Sequence, residues 1–149
     1  MEVTTKKKSI KAKKTSFSPR KAPVAHGVGR RKSSVARVWL RHGNGKIMVN
    51  GKEYNAYFDT EITKLDVVKP LKVLSAPVNY DFDVDVQGGG TYSQAGATRL
   101  GISRALVAHD EALRPLLRQD GLLTVDSRLK ERKKYGRKAA RRRFQFVKR

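Results

Sequence analysis

Apolar and polar positions alternate with a period of two over residues 35–41 (VARVWLR), and the β-branched and aromatic content there predicts a strand. Gly43, Asn44 and Gly45 then read as a hairpin turn, with residues 46–49 (KIMV) as the returning strand. Asn50 and Gly51 mark a second turn. Over residues 59–74 the period lengthens, and Ile62, Leu65, Val68 and Leu71 recur at helical spacing. Pro70 must break this helix or open a second piece at its first position, since proline has no N–H to donate. Phe82, Val84 and Val86 alternate with Asp81, Asp83 and Asp85, which predicts a strand with one buried face.

Gly88, Gly89 and Gly90 end that strand, and Thr91 or Ser93 can cap a helix that runs to about His109, with Leu100, Ala105 and Leu106 turned inward. Gly96 and Gly101 inside it each cost about 1 kcal/mol relative to Ala, and are expected to admit a close neighbour, either the sheet or an RNA strand. Residues 111–119 suit a further helix closed by Gly121, and residues 122–125 a last short strand. There is no internal repeat. The order β-β-α-β-α-α-β with a mixed sheet predicts an α+β two-layer sandwich.

Charge changes this picture more than composition does. The chain of 149 residues is long enough for one domain with a core, and its 34 Lys and Arg against 13 Asp and Glu leave a net charge of +21. Such self-repulsion calls for a polyanionic partner. The charge is uneven: residues 1–25 carry a net +7, residues 26–126 only +3, and residues 127–149 a net +11. The expected organisation is therefore a basic N-terminal arm (1–25), a globular domain (26–126) and an extended basic C-terminal tail (127–149). The arm has too few large apolar residues to offset its ordering entropy and is expected to be disordered alone. It reads as a nucleic-acid-binding arm rather than a transit peptide, because its cations are mostly Lys and it has no amphipathic face.

The tail has helical propensity, but like charges stand four residues apart at Arg128/Arg132, Lys130/Lys134 and Arg137/Arg141. Each such pair costs about 0.2–0.5 kcal/mol, and Gly136 interrupts the run. The tail is expected to stay unfolded until phosphates remove the repulsion. Tyr135, Phe144 and Phe146 interleave its cations, suited either to stacking on unpaired bases or to packing on the host surface.

The remaining residues argue against chemistry. There is no Cys, which excludes disulfides, thiolate zinc sites and thiol catalysis. No apolar run approaches a membrane span, and no signal-peptide core is visible. His26, His42 and His109 lack metal-ligand spacing, and the three aspartates lack the Gly and Glu of a calcium loop, reading instead as a solvated strand face. No metal, cofactor or catalytic residue is expected. The glycines at 88–90 lack the Lys and Ser/Thr of a P-loop. They suit either a strand-to-helix turn or backbone contact with RNA. Arg30, Arg31 and Lys32, ahead of the first expected strand, suit phosphate contact, with Ser33 and Ser34 beside them as hydrogen-bonding hydroxyls.

Three blocks in order carry a family resemblance: GVGRRKSSVARV (27–38), GGGTYSQAGATRLGISRAL (88–106) and DSRLKERKKYGRKAARRRFQFVKR (126–149). In them the chain resembles the ninth-protein family of the small ribosomal subunit, in its bacterial form. The resemblance implies a structural, non-enzymatic constituent of the small subunit, with a left-handed β-α-β crossover in its fold. It implies binding to the head domain of small-subunit rRNA through Arg30, Arg31, Lys32, Arg99 and Arg104 of the domain. In the tail it adds Arg128, Lys130, Arg132, Lys133, Lys134, Arg137, Lys138, Arg141, Arg142 and Arg143. It implies that Lys148 and Arg149 touch the anticodon stem-loop of the P-site tRNA, with neighbouring head proteins as further partners and a bacterial cytoplasmic ribosome, in preference to an organellar one, as the location. The chain departs from the family at Ser93, often Gly, and at Arg143 and Phe144, where Ala-Pro or Arg-Pro is common. The N-terminal arm has no counterpart there. Two other readings suit the charge. An architectural DNA-binding protein would show a groove-reading helix or paired wedge residues. An RNA-processing enzyme would show convergent acids, bases or metal ligands. Neither pattern stands out.

Overall fold

A computed structural model describes residues 22–74 and 79–147. Expectations placed on residues 1–21, and on Lys148 and Arg149, lie outside the described residues. The strand expected from alternation is Ser34–His42 (β2), which buries Ser34, Ala36, Val38 and Leu40 and turns Val35, Arg37, Trp39 and Arg41 to the other face.

Ahead of β2 runs a strand that the hydrophobic pattern does not announce, Ala25–Arg31 (β1), antiparallel to it. Arg30 and Arg31 therefore lie within the sheet, not before it. The inward positions of β1 are Gly27 and Gly29, so the period-two signal is silent. A Cβ on Gly29 would lie 1.9 Å from the Ala97 carbonyl oxygen and 2.5 Å from the Gly101 nitrogen; one on Gly27 would lie 2.3 Å from the Gly101 carbonyl oxygen. Strand and helix meet backbone to backbone, and no larger residue fits the seam. Gly101 thus admits the sheet, one of its two expected neighbours.

The expected 35–41/46–49 hairpin does not form. Ile47–Val49 (β3) is a strand, but Tyr80–Gln87 (β5) lies between it and β2, antiparallel to β2 and parallel to β3. The turn at 43–45 straddles the start of β5. Asp81 accepts hydrogen bonds from the backbone N–H groups of Asn44 (2.8 Å) and Lys46 (2.9 Å), and the Gly43 N–H donates to the Asn79 carbonyl. A carboxylate supplied from far along the chain thus satisfies the turn, and a local reading cannot see it. Asn50 and Gly51 do turn the chain, both with positive φ, into a two-residue strand Lys52–Glu53 (β4). The sheet order is β1-β2-β5-β3-β4.

After a single turn of helix, Tyr54–Tyr57 (α1), comes Glu61–Val73 (α2). Its buried residues are Thr63, Val67 and Pro70, whereas Ile62 and Leu65 are 64% and 53% exposed. The inward face is thus offset from the expected one. Thr63 tolerates burial because its hydroxyl donates to the Thr60 carbonyl at 2.6 Å. The helix continues through Pro70.

The principal helix is Thr91–His109 (α3), packed on β1 and β2 and against α2. Gly90, not Thr91 or Ser93, occupies its cap position. Ser93 acts from the third helical position, its hydroxyl accepting from the Gly90 N–H at 3.0 Å and lying 2.8 Å from the buried Ser34 hydroxyl. The departure from glycine at Ser93 therefore adds a tie between sheet and helix. A 3₁₀ turn, Glu111–Leu113, leads into Arg114–Gln119 (α4), and Gly121 closes it with φ of +66°. Residues 122–125 form no strand: Leu122 plugs the core, its N–H on the Leu117 carbonyl. The architecture is the expected α+β arrangement with a mixed sheet. Its core is Ala36, Val38, Leu40, Phe82, Val84 and Val86 from the sheet against Ala95, Ala97, Ile102, Ala105 and Leu106 from α3.

The seam can be tested directly. Gly29→Ala should cost at least about 3 kcal/mol in urea unfolding, because backbone atoms cannot yield as side chains do. Gly90→Ala, which meets open space with φ of −109°, should cost no more than about 1 kcal/mol. Equal losses for the two would show that the seam is not a tight contact.

Candidate nucleic-acid interface

Alternation along β1 sends its two arginines to opposite faces. Arg30 stands on the open face of the sheet. Arg31 turns toward α3, where its side chain lies across Gly96, so close that a Cβ there would meet its Cδ at 2.4 Å. The second interior glycine of α3 therefore seats an arginine of the same chain, not an RNA strand. Arg31 Nη1 donates to the Tyr92 carbonyl at 3.3 Å and Nη2 lies 3.5 Å from Asp126, while its buried Nε has no acceptor among the described residues. Between the strands, Lys32 is exposed with φ of +52°.

Asp126 is the root of the tail. Arg128 holds it in a bidentate pair, both contacts at 2.9 Å, and the Arg128 backbone N–H donates to it at 3.1 Å. The side-chain hydrogen bonds from Arg128, then the backbone one, hold its carboxyl well below the usual carboxylate range. A depressed folded pKa stabilises above the unfolded value, and the gain is lost only as pH falls through the folded one. The Asp126 carboxylate at the root is thus held in its charged form by Arg128.

Beyond Asp126 the described residues carry no helix or strand. Glu131, the one acid in 127–149, receives the Arg141 guanidinium, with Nε 3.1 Å from both oxygens. Arg137 Nη1 donates to the Arg141 carbonyl and the Lys138 N–H to the Arg142 carbonyl, which closes a small loop over residues 137–142. Lys130, Arg132, Lys133, Lys134, Arg142 and Arg143 are exposed and form no ion pair with any other described residue. Tyr135 and Phe146 are each 95% exposed and Phe144 61%, so the tail aromatics do not pack on the domain. Lys148 and Arg149 lie outside the described residues.

Other expected contacts are already engaged within the protein. Arg99 pairs with Asp66 of α2 at 2.9 Å. Arg104 Nη1 donates to the Val28 carbonyl at 2.7 Å, covering the free edge of β1. Ser34 is fully buried and its hydroxyl donates to the Gly88 carbonyl, so it is not available to phosphate. Gly88 and Gly89 have positive φ, and a Cβ at Gly89 would lie 2.1 Å from the Ser34 hydroxyl. Two of the three glycines serve the strand-to-helix turn. Among the described residues no group of His, Asp or Glu could hold a metal, and no helix is long and apolar enough to cross a membrane. Of the strand aspartates, Asp81 holds the 43–46 turn and Asp83 takes Arg41 at 2.8 Å. Sequence reasoning missed Arg37, exposed on the open face of β2. Its place in the VARVWLR alternation was the available signal.

Comparison with known proteins resolves what this cationic surface belongs to. The model of the family described as ribosomal protein S9/S16 matches residues 29–149. The chain belongs to the ribosomal protein S9/S16 family. It is 52% identical over 126 residues to small ribosomal subunit protein uS9 of Cytophaga hutchinsonii, an alignment covering 85% of this chain and 98% of that one. Members of the ribosomal protein S9 family are structural, non-enzymatic components of the small subunit that bind its rRNA. Membership leaves the DNA-binding and RNA-processing readings without support.

Proposed function

We propose that this protein docks its domain (26–126) on the head of the small ribosomal subunit and inserts its tail (127–149) between rRNA segments. The observation that carries this reading is the segment 127–149 itself: a cationic run with one acid in it and, among its described residues, no helix or strand. Fully extended, 23 residues reach roughly 75–80 Å, far enough to leave the domain surface. Arg128, Lys130, Arg132, Lys133, Lys134, Arg137, Lys138, Arg141, Arg142 and Arg143 neutralise phosphates along that path, Arg31, Lys32, Arg99 and Arg104 add cations on the domain, and Arg30 adds one on the opposite face of the sheet. Tyr135, Phe144 and Phe146 supply stacking faces for unpaired bases.

In this reading Lys148 and Arg149 reach the anticodon stem-loop of the P-site tRNA, and the N-terminal arm (1–25) adds a second cationic segment. Neighbouring head proteins complete the setting, in a bacterial cytoplasmic ribosome. The family resemblance supports these finer assignments, together with a left-handed path for the β3–α2–β5 crossover.

With about six tail cations on phosphates, affinity for head-domain rRNA should fall by roughly three decades between about 50 and 200 mM salt. Deleting residues 127–149 should flatten that dependence and leave the unfolding transition of the domain in place; an unchanged salt slope would remove the tail from the interface. Deleting only Lys148 and Arg149 should spare subunit assembly and weaken P-site tRNA retention. Subunits that fail to assemble with that variant would contradict the division of labour.

A further inference from the structure

We propose that the open face of the sheet is a second RNA-binding surface, taking one nucleotide with its phosphate on Arg30 and Arg37 and its base against Trp39 and His26. It rests on the RNA-binding role proposed above but uses a face remote from α3, which seats Arg31 at the tail root. The strand registers define this surface. Arg30 stands opposite Val35, which stands opposite Gln87; Arg37 stands opposite Asp85, and His26 opposite Trp39.

Two other charged groups on this face, Asp81 and Asp83, are engaged within the protein. Asp83 takes Arg41, and Asp81 takes the backbone N–H groups of Asn44 and Lys46. Arg30 and Arg37 differ: both are exposed, and neither has an ion-pair partner among the described residues. They occupy diagonal positions on neighbouring strands, within reach of each other, so an anion bound between them would meet both guanidinium groups, with Asp85 beside Arg37. The surface there is concave. A groove of about 430 Å³ is lined by Arg30, Ser33, Val35, Arg37, Asp85 and Gln87.

This donor set fits a nucleotide better than a free phosphate. Two guanidinium groups and the Ser33 hydroxyl suit phosphate oxygens. Asp85 repels an isolated anion but accepts from a ribose 2′-hydroxyl or a base amino group, and Gln87 can donate or accept. Trp39 lies two residues beyond Arg37, about 6.6 Å along the strand, within the span of one nucleotide. It is half-buried, with the His26 ring 5.5 Å from its own and tilted by 44°, an aromatic pair on which a base can stack.

Trp39 is the only Trp in the chain, so its emission reports on this surface alone. Full-length protein is titrated with a transcript of the small-subunit rRNA head domain, following Trp emission and gel mobility together. Emission should be quenched with the same midpoint as the mobility shift. The double variant Arg30→Gln/Arg37→Gln, altered only at exposed positions, should lose the quench and lower the salt slope by about 1 to 2, while the tail-dependent remainder persists. A mobility shift with unchanged emission, or a double variant with the wild-type slope, overturns the sheet-face site and leaves the tail's role standing. No mobility shift at all overturns both.

Discussion

The backbone of β1 lies directly on the backbone of α3, and that contact places the cations around the β1–β2 turn. With glycine at 27, 29 and 101 the two elements approach until an added Cβ at 27 or 29 would collide with main-chain atoms and one at 101 with the Val38 side chain. Arg31 consequently emerges beside the first turns of α3, lies across Gly96 and reaches Asp126. Arg30, one residue earlier, falls on the opposite face. One short strand thus supplies an anchor for the tail root on one side of the sheet and a free cation on the other.

Electrostatics divides the molecule into two parts. Several of the domain's acids are spent internally: Asp66 on Arg99, Asp83 on Arg41, Asp81 on the 43–46 turn and Asp126 on Arg128. The tail has only Glu131, and its pair with Arg141 is exposed. An exposed pair contributes about 0–1 kcal/mol, too little to hold a segment of net charge +11 against a domain that is itself positive. The self-repulsion of the tail is relieved only by a polyanion, and membership in a ribosomal protein family supplies one in rRNA.

The sequence made some of this legible and hid the rest for identifiable reasons. Alternation located β2 and β5, and Gly121 located the end of α4. The first strand escaped because its inward residues are glycines. The hairpin reading failed because β5 inserts between β2 and β3, a pairing 35 to 52 positions distant in the chain that local periodicity does not encode. On α2 the exposed Ile62 and Leu65 outvoted the buried Thr63, since a satisfied hydroxyl does not register as apolar. The cationic run over 127–149 is plain in the sequence because charge is counted without regard to fold. The engagement of Arg31, Arg99 and Arg104 within the domain is not, because it depends on which elements become neighbours.

The central claim is that the tail is fixed at Asp126 and held beyond it only by exposed contacts, too weak to order it until it meets RNA. Hydrogen exchange of the full chain, free and bound to head-domain rRNA, tests it most directly. Amides at residues 132–147 should exchange at nearly the rate of an unstructured peptide in the free protein and slow markedly on binding, while those of α3 remain slow throughout. Tail amides already protected in the free protein, or equally fast with and without RNA, would contradict the account.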